Sequence, residues 1–467
     1  MNADSPFQIK NIRLFVAFRV FFNARFYYPV FTILFLDYGL TIEQFSILNT
    51  VWAITIVCAE VPSGALADLL GRKRLLVLTS VLMISELSVI AFVPITNITF
   101  VFWAFLINRI LSGLAEAMAS GADEAIAYDS LVDEGNPEHW PRVLSVQMRV
   151  KALAGILSTT VGALVYDPSI ANSLFDWLGF ELNLDQQTSM RFPVYLTLVL
   201  AFLAFWTTLQ LRDRYDDTDD SDVSLATIWR AGLLTLQAGG WILKTPFALA
   251  VILFGMLFDH VLRLIITLTS QYFRLISLPD ASFGVIMAAL SLLGLVIPKL
   301  AEWMTQKFSP AQNCGWLALL SLLTLLGLTF FVPYLGIIPV AMVMVGLMLT
   351  AFFTSHYLNQ IASSRQRATV LSFKGMAFNL AYGIIGILFA QLIAMLRGDI
   401  GSDHPDWSEQ LIENQAFKDS FLWMPGYFLA LIAVITVFSM YNQRNNGAKS
   451  IPTEDNPAPS GKSGKTG

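Results

Sequence analysis

Apolar residues in this chain come in blocks of about 20, the length at which an α-helix crosses the hydrocarbon core of a bilayer. The blocks fill most of the chain and read as about twelve spans: 12–36, 42–67, 74–95, 99–128, 141–166, 191–211, 246–275, 281–303, 312–332, 334–361, 366–396 and 417–440. Charged residues make up 13% of the chain and hydrophobic ones 55%. A soluble domain carries roughly twice that charged fraction, so this chain lacks the polar surface to enclose a core in water. The first block is not a short apolar region followed by a small-residue cleavage site. It reads as a retained span, not a signal peptide.

Composition excludes several function classes. The formal net charge is −5 with no basic block, so no nucleic-acid partner is expected. Cys58 lies mid-span and Cys314 opens a later span, which predicts free thiols and no disulfide framework. Four histidines and two separated cysteines give no metal-ligand spacing. No Walker-type phosphate loop is present, so direct ATP hydrolysis is not expected; nor is an enzyme activity or a cofactor.

Orientation follows from Lys and Arg near the span ends. Connections on one side hold Lys10, Arg13, Arg72, Lys73, Arg74, Arg142, Arg212, Arg214, Arg230, Lys307, Arg365 and Arg367. The opposite connections are acidic, with Asp37, Asp167, Asp176, Glu181, Asp185, Asp280, Asp399, Asp403, Asp406, Glu409 and Glu413. Both termini are therefore expected in the cytoplasm of a multi-pass protein in a bacterial-type inner membrane.

The chain divides near its middle. A cytoplasmic N-terminus (1–11) precedes a first half (12–211), and a linker (212–245) leads to a second half (246–440) and a polar, disordered tail (441–467). The linker opens with the charge run RDRYDDTDDSD and continues with Leu225, Ile228, Trp229, Leu233 and Leu236 at helical spacing. That pattern predicts an amphipathic helix along the membrane surface. The halves repeat each other: Leu66-Ala67-Asp68 aligns with Leu300-Ala301-Glu302, and Lys73 with Lys307. The expected fold class is all-α integral membrane, twelve transmembrane helices in two pseudo-symmetric six-helix bundles. A solute path between two half-repeats is a common transporter plan.

Two motifs carry a family resemblance. GALADLLGRKR (64–74), between the second and third spans, resembles the Gly-x-Leu-Ala-Asp-x-x-Gly-Arg-Lys signature of the major facilitator superfamily. Glycines permit a tight turn there. The resemblance implies a conformational latch at Gly64, Asp68, Gly71, Arg72 and Lys73. In the fourth span, Arg109 through Gly113 fits the family's Arg-x-x-x-Gly core, where a basic residue is associated with proton coupling. The Gly-Pro-x-x-Gly-Gly signature of drug/proton antiporters is degraded to Ser158-Thr159-Thr160-Val161-Gly162-Ala163, which argues against drug efflux. The stretch SGADEAIAYDSL (120–131) is similar to a run in a poorly characterised bacterial branch of the superfamily.

Charges inside spans cost about 2.5–3.5 kcal/mol each, so they need partners or a wet cavity. The fourth span carries Arg109, Ser112, Glu116, Ser120, Asp123 and Glu124, mostly on one helical stripe beside the small residues Gly113, Ala117 and Gly121. The first span carries Arg19, Asn23 and Tyr27 at steps of four, and Arg25 on another face. By rise per residue Arg25 lies at the depth of Glu116 and Arg19 nearer Asp123. Aromatic residues at positions 21, 22 and 26–28 cluster beside them. The fifth span adds Arg149 and Lys151. In the second half, Asp259 and Arg263 are one turn apart and able to pair on their own helix. His260, His356 and Asn359 are polar groups within spans, and Lys374 sits where it can snorkel to the surface.

These residues form the expected substrate or proton pathway of a secondary transporter working by alternating access, with protons as the coupling ion and membrane lipid around a functional monomer. Glu116, Asp123, Glu124 and Asp259 are the candidate proton carriers. Three classes compete: an exporter of amphipathic compounds, a permease for a polar anionic metabolite, and a non-transporting sensor or scaffold. Unpaired basic groups in the cavity favour an anion; complete Arg–carboxylate pairing with an aromatic lining favours an exporter.

Overall fold

Inside a bilayer no water satisfies backbone N–H and C=O groups, so a spanning chain has to be helical or a closed barrel. The computed structural model is helical, with no strand among the described residues. It describes residues 5–119, 122–133, 139–177, 179–180, 183–213, 240, 242–361 and 367–447; Gly64 and Asp68 are described by their backbone only. The helix expected at 225–237 lies outside the described residues, as does the chain from 448 onward.

Eleven helices among the described residues are long and apolar enough to cross a membrane. The expected first span is a different case and corrects the continuous reading of 12–36. α1 (Lys10–Asn23) stops, a 3-10 turn forms at Tyr28–Val30, and α2 (Phe31–Asp37) resumes. Pro29 has no N–H to give to a helix ladder, and Ala24 takes an extended ψ of 92°. Neighbours take up the freed backbone: the Phe26 N–H donates to Thr197 Oγ1 at 3.1 Å.

The rest of the first half is α3 (Ile42–Leu70), α4 (Arg72–Phe92), α5 (Ile98–Ala119), α6 (Ala122–Asp133), α7 (Trp140–Tyr166), the short α8 (Pro168–Trp177) and α9 (Gln186–Ser189), and α10 (Phe192–Leu209). The second half comprises α11 (Pro246–Thr267), α12 (Thr269–Leu275), α13 (Ser282–Ser291), α14 (Ile297–Lys307), α15 (Pro310–Leu328), α16 (Ile337–Ile361), α17 (Arg367–Asp403) and α18 (Glu409–Gly447). Here α11 and α12 repeat the break of the first helix. The long connection expected at 397–416 is mostly helix, and α18 runs past the expected end at 440. Hydropathy misses charged helix ends that project beyond the apolar slab.

The repeat seen in the sequence falls on equivalent turns. α3 ends at Gly71, whose φ of +84° is open to glycine without a Cβ penalty. Its counterpart α14 ends at Lys307. Ser309 then opens α15 with a capping box to Gln312 and Pro310 in the first turn.

The halves meet at the end that carries Asp37 and Asp280. The Thr32 and Ile33 N–H groups donate to Ser270 Oγ at 3.0 and 3.2 Å, and Thr32 Oγ1 donates to the Thr267 carbonyl at 2.5 Å. Thus the two broken helices touch at their breaks. α3 crosses α17, where Thr50 Oγ1 donates to the Gly383 carbonyl at 3.1 Å. α7 crosses α13 so closely that a Cβ on Gly284 would lie 2.0 Å from the Thr159 carbonyl oxygen. Outward faces are apolar, with Trp206, Trp316 and Trp423 all more than half exposed, as a lipid solvent requires.

This packing predicts a position-specific stability pattern. Gly284→Ala forces α7 and α13 apart, and overpacking of this kind costs about 1–3 kcal/mol. Its unfolding midpoint in detergent is expected to fall. Gly155→Ala, on the same helix α7, meets nothing within 4 Å and keeps or raises the midpoint.

Candidate functional site

A cavity of about 330 Å³ lies between the halves. The break in the first helix supplies Arg25, Tyr27 and Tyr28 to its wall, α2 gives Phe31, and α3 gives Asn49 and Trp52. α5 contributes Arg109, Ser112 and Glu116, and the second half contributes Arg263, Ser270 and Tyr382. The first and fourth spans therefore share one polar wall. Of the candidate pathway residues, Arg25, Tyr27, Arg109, Glu116 and Arg263 come together here.

Arg25 owes its position to the helix break. It leaves the axis of α1, turns into the half and binds Glu86 Oε1 at 2.6 Å; both side chains are at most 4% exposed. Depth counted by rise along an unbroken helix does not apply to it: that count sets Arg25 at the depth of Glu116, but its carboxylate partner is Glu86. Glu86 Oε2 also accepts from Asn108 Nδ2 at 2.9 Å. Asn108 Oδ1 in turn accepts from Arg109 Nε and Nη2 at 2.9 and 2.7 Å. A continuous polar chain thus runs Arg25–Glu86–Asn108–Arg109. Sequence reading missed Glu86 and Asn108, although a carboxylate in the middle of the third span is itself a signal.

Arg109 has no carboxylate partner among the described residues. Its guanidinium centre lies 5.4 Å from the ring centroids of both Phe31 and Phe35, a cation–π arrangement. Glu116, two turns further along α5, is exposed to the cavity and makes no hydrogen bond or ion pair among the described residues. It acts electrostatically on Tyr28 and Lys151. Arg263 is paired with Asp259, donates to Asn379 Oδ1 at 2.8 Å and stacks over Tyr382 at 5.2 Å.

The remaining candidates sit elsewhere. Arg19 binds Asp123 and Glu124, each at 2.5 Å, as depth predicted for Asp123. Asn23 Nδ2 donates to the Arg19 carbonyl at 2.7 Å. Arg149 bonds back to Ser145 on its own helix, through Nε at 3.2 Å and Nη2 at 3.0 Å. His260 is buried between the Met256 carbonyl at 2.5 Å and Tyr427 Oη at 3.1 Å. His356 contacts Gln360 at 3.0 Å and stacks on Phe352. Lys374 lies over the Phe378 ring at 5.6 Å. At the turn where a latch is expected, Arg72 pairs with Asp129, inside the stretch 120–131, and the Lys73 N–H donates to Asp213 Oδ2 at 3.0 Å.

At the acidic end Asp37 is a hub. It accepts two bonds from Arg274 at 2.9 and 3.1 Å, one from Tyr166 Oη at 2.5 Å and one from Gln186 Nε2 at 3.2 Å. Arg274 also reaches Asp280 at 2.6 Å. A second pair, Arg397 with Glu43 at 3.4 Å, joins the halves nearby. A larger cavity of about 480 Å³ lies within the second half between α11, α15, α16 and α18. No charged side chain lines it; its polar lining is hydroxyl and amide, from residues such as Thr350, Thr354 and Gln443.

Glu86 and Glu116 are expected to respond differently. Glu86→Gln leaves Arg25 buried without a counter-charge, a loss of about 3–5 kcal/mol. Glu116→Gln, exposed and unpaired, shifts stability by about 0.5 kcal/mol or less. Combining Glu86→Gln with Arg25→Gln restores part of the loss, a coupling that a double-mutant cycle on the melting temperature in detergent reads directly.

The Major Facilitator Superfamily profile matches residues 13–386. No curated protein matches the sequence. Among solved structures, the nucleoside transporter NupG is similar with a TM-score of 0.66 at 14% identity, covering 94% of this chain and 99% of that one. A bacterial homologue of the human lysosomal transporter Spinster, inward-facing and unoccupied, is similar with a TM-score of 0.69 at 12% identity over 97% of this chain and 100% of that one. A D-xylose–proton symporter is similar with a TM-score of 0.58 at 14% identity, over 90% and 96% of the two chains. At these identities the likeness speaks for the fold. With the family matched over most of its length and two broken-helix halves facing each other across a polar cavity, the chain belongs to the major facilitator superfamily.

Proposed function

We propose that the protein is a secondary active transporter that carries a small polar solute by alternating access, with protons as the coupling ion. The observation that carries this reading is the central cavity, placed between two halves that are bolted together at one end. The bolt is the Asp37–Arg274 hub with its neighbours Tyr166, Gln186 and Asp280. The Lys and Arg bias puts that end outside the cell and both termini in the cytoplasm. The form described here is then closed outside, with Glu116 exposed toward the cytoplasmic side. Glu116 suits proton traffic, because it can change charge without stranding a buried partner. The basic lining, with Arg109 lacking a carboxylate, favours a solute bearing negative charge over an apolar export substrate.

The reading is tested without knowing the solute. A single cysteine at Ser112, in a background lacking Cys58 and Cys314, is expected to react with a membrane-impermeant maleimide in inverted vesicles and to be protected in right-side-out vesicles. Replacing Arg274 by Gln removes charge-assisted bonds worth about 1.5–3 kcal/mol each. That variant is expected to admit the reagent from the outer side as well, since the equilibrium shifts toward outward-open states. Reactivity independent of side and of Arg274 would overturn alternating access through this cavity.

The latch yields a second expectation. Asp129→Asn breaks the same pair as Arg72→Gln, so both variants should shift Ser112 cysteine reactivity in the same direction, with the double variant no stronger than either alone. Additive effects would mean that the two residues act separately.

A further inference from the structure

We infer that the central cavity takes a zwitterion, with a carboxylate-like end on Arg109 and an ammonium-like end on Glu116. This rests on the transporter reading and deepens it by naming the chemical class of the solute. Three arginines line the cavity, and two are already neutralised: Arg25 by Glu86 and Arg263 by Asp259. Arg109 is held by neutral groups, an amide, the Tyr27 hydroxyl and two phenyl faces, with no carboxylate partner among the described residues. The amide is itself fixed, because Asn108 Nδ2 donates to both the carbonyl and the carboxylate of Glu86 at 2.9 Å. Arg109 is thus aimed but not discharged. A buried guanidinium without a counter-ion is costly, and an incoming anion supplies one.

The opposite charge waits on the same helix. Arg109, Ser112 and Glu116 follow at steps of three and four, so they share one face of α5, and all three line the cavity. Arg109 and Glu116 are two turns apart, about 10 Å along the axis, a gap that their own side-chain lengths shorten. A simple anion satisfies Arg109 and is repelled by Glu116, and a simple cation meets the reverse. A solute with both charges, separated by about the 7 Å that two extended residues span, satisfies each end without adding net charge. The rings of Tyr28, Trp52 and Tyr382 line the same cavity and suit an apolar or aromatic body. Lys151 is the other electrostatic neighbour of Glu116, but it also faces Asp123, Glu124 and Arg19 and is not part of the cavity wall.

The test uses purified full-length protein and two scaffolds, alanylphenylalanine and 6-aminohexanoate. Each is offered free, with the amine acetylated, with the carboxylate amidated, and with both ends blocked. Binding is read by calorimetry in detergent. At least one free zwitterion is expected to bind tenfold or more tightly than either of its singly blocked forms. Glu116→Gln should erase the preference over the acetylated form while keeping binding of that anion. Arg109→Lys, which retains the charge where Arg109→Gln could fail to fold, should weaken the carboxylate-bearing forms and spare the amidated one. Equal binding of free and blocked forms, or no binding by either zwitterion, would overturn the charge assignment. Two-sided labelling at Ser112 reports separately on transport, so a failure here with normal labelling sinks the zwitterion and leaves the transporter.

Discussion

Arg25 and Glu86 meet at 2.6 Å in a place that is almost closed to water, and the polar interior of the first half is arranged around that contact. Each charge alone would be prohibitive there; together, and with further hydrogen bonds, they are tolerable. The pair exists because the first helix breaks after Asn23, which frees Arg25 to turn inward from the break. Glu86 then orders Asn108, and Asn108 orders Arg109. One helix interruption therefore sets the direction of a guanidinium on a different helix. Such a chain specifies one arrangement because every member has a fixed donor or acceptor role.

The same device appears at the junction of the halves. α11 and α12 break at Leu268 as α1 and α2 break at residues 24–30, and the breaks touch through Thr32, Thr267 and Ser270. Irregular backbone at this depth is tolerated because it faces protein and a cavity instead of lipid. The contacts there are few and polar. Beyond them, at the acidic end, the Asp37 hub is stronger but sits at the rim, with Arg274 one-third exposed. The halves also pack helix on helix, α3 against α17 and α7 against α13 at Gly284, so the polar contacts and the rim ion pair are only part of what holds them together.

Much of this was legible in the sequence. Span-length apolar blocks fixed the helical membrane class, and the Gly-Arg-Lys turn and its weaker copy placed the half-repeat on equivalent turns. Charge spacing on α5 pointed to the cavity wall, and depth along the chain set Arg19 nearer Asp123, which it binds. The failures share a cause. Hydropathy averages over a window, so an apolar break around Tyr27, Tyr28 and Pro29 looks like continuous helix. Glu86 belongs to no stripe, and attention to periodic charges passed over a single carboxylate whose partner is 61 residues away. Arg274 and Asp37 are 237 residues apart, and their pairing is a property of how the halves close, which no local pattern records.

Two carboxylates in the first half show why burial, not residue type, sets a role. Glu86 is wholly buried and committed to Arg25 and Asn108, so a change in its charge would cost the fold. Glu116 faces the cavity uncommitted, so its charge can change at little structural cost. On the zwitterion assignment this freedom has a consequence for coupling. A protonated Glu116 no longer attracts an ammonium group, so a proton and the cationic end of the solute compete for one carboxylate. Competition at a shared site is a way in which solute and proton can bias each other's occupancy. No wire between distant sites is required, because the two ligands bias the same group.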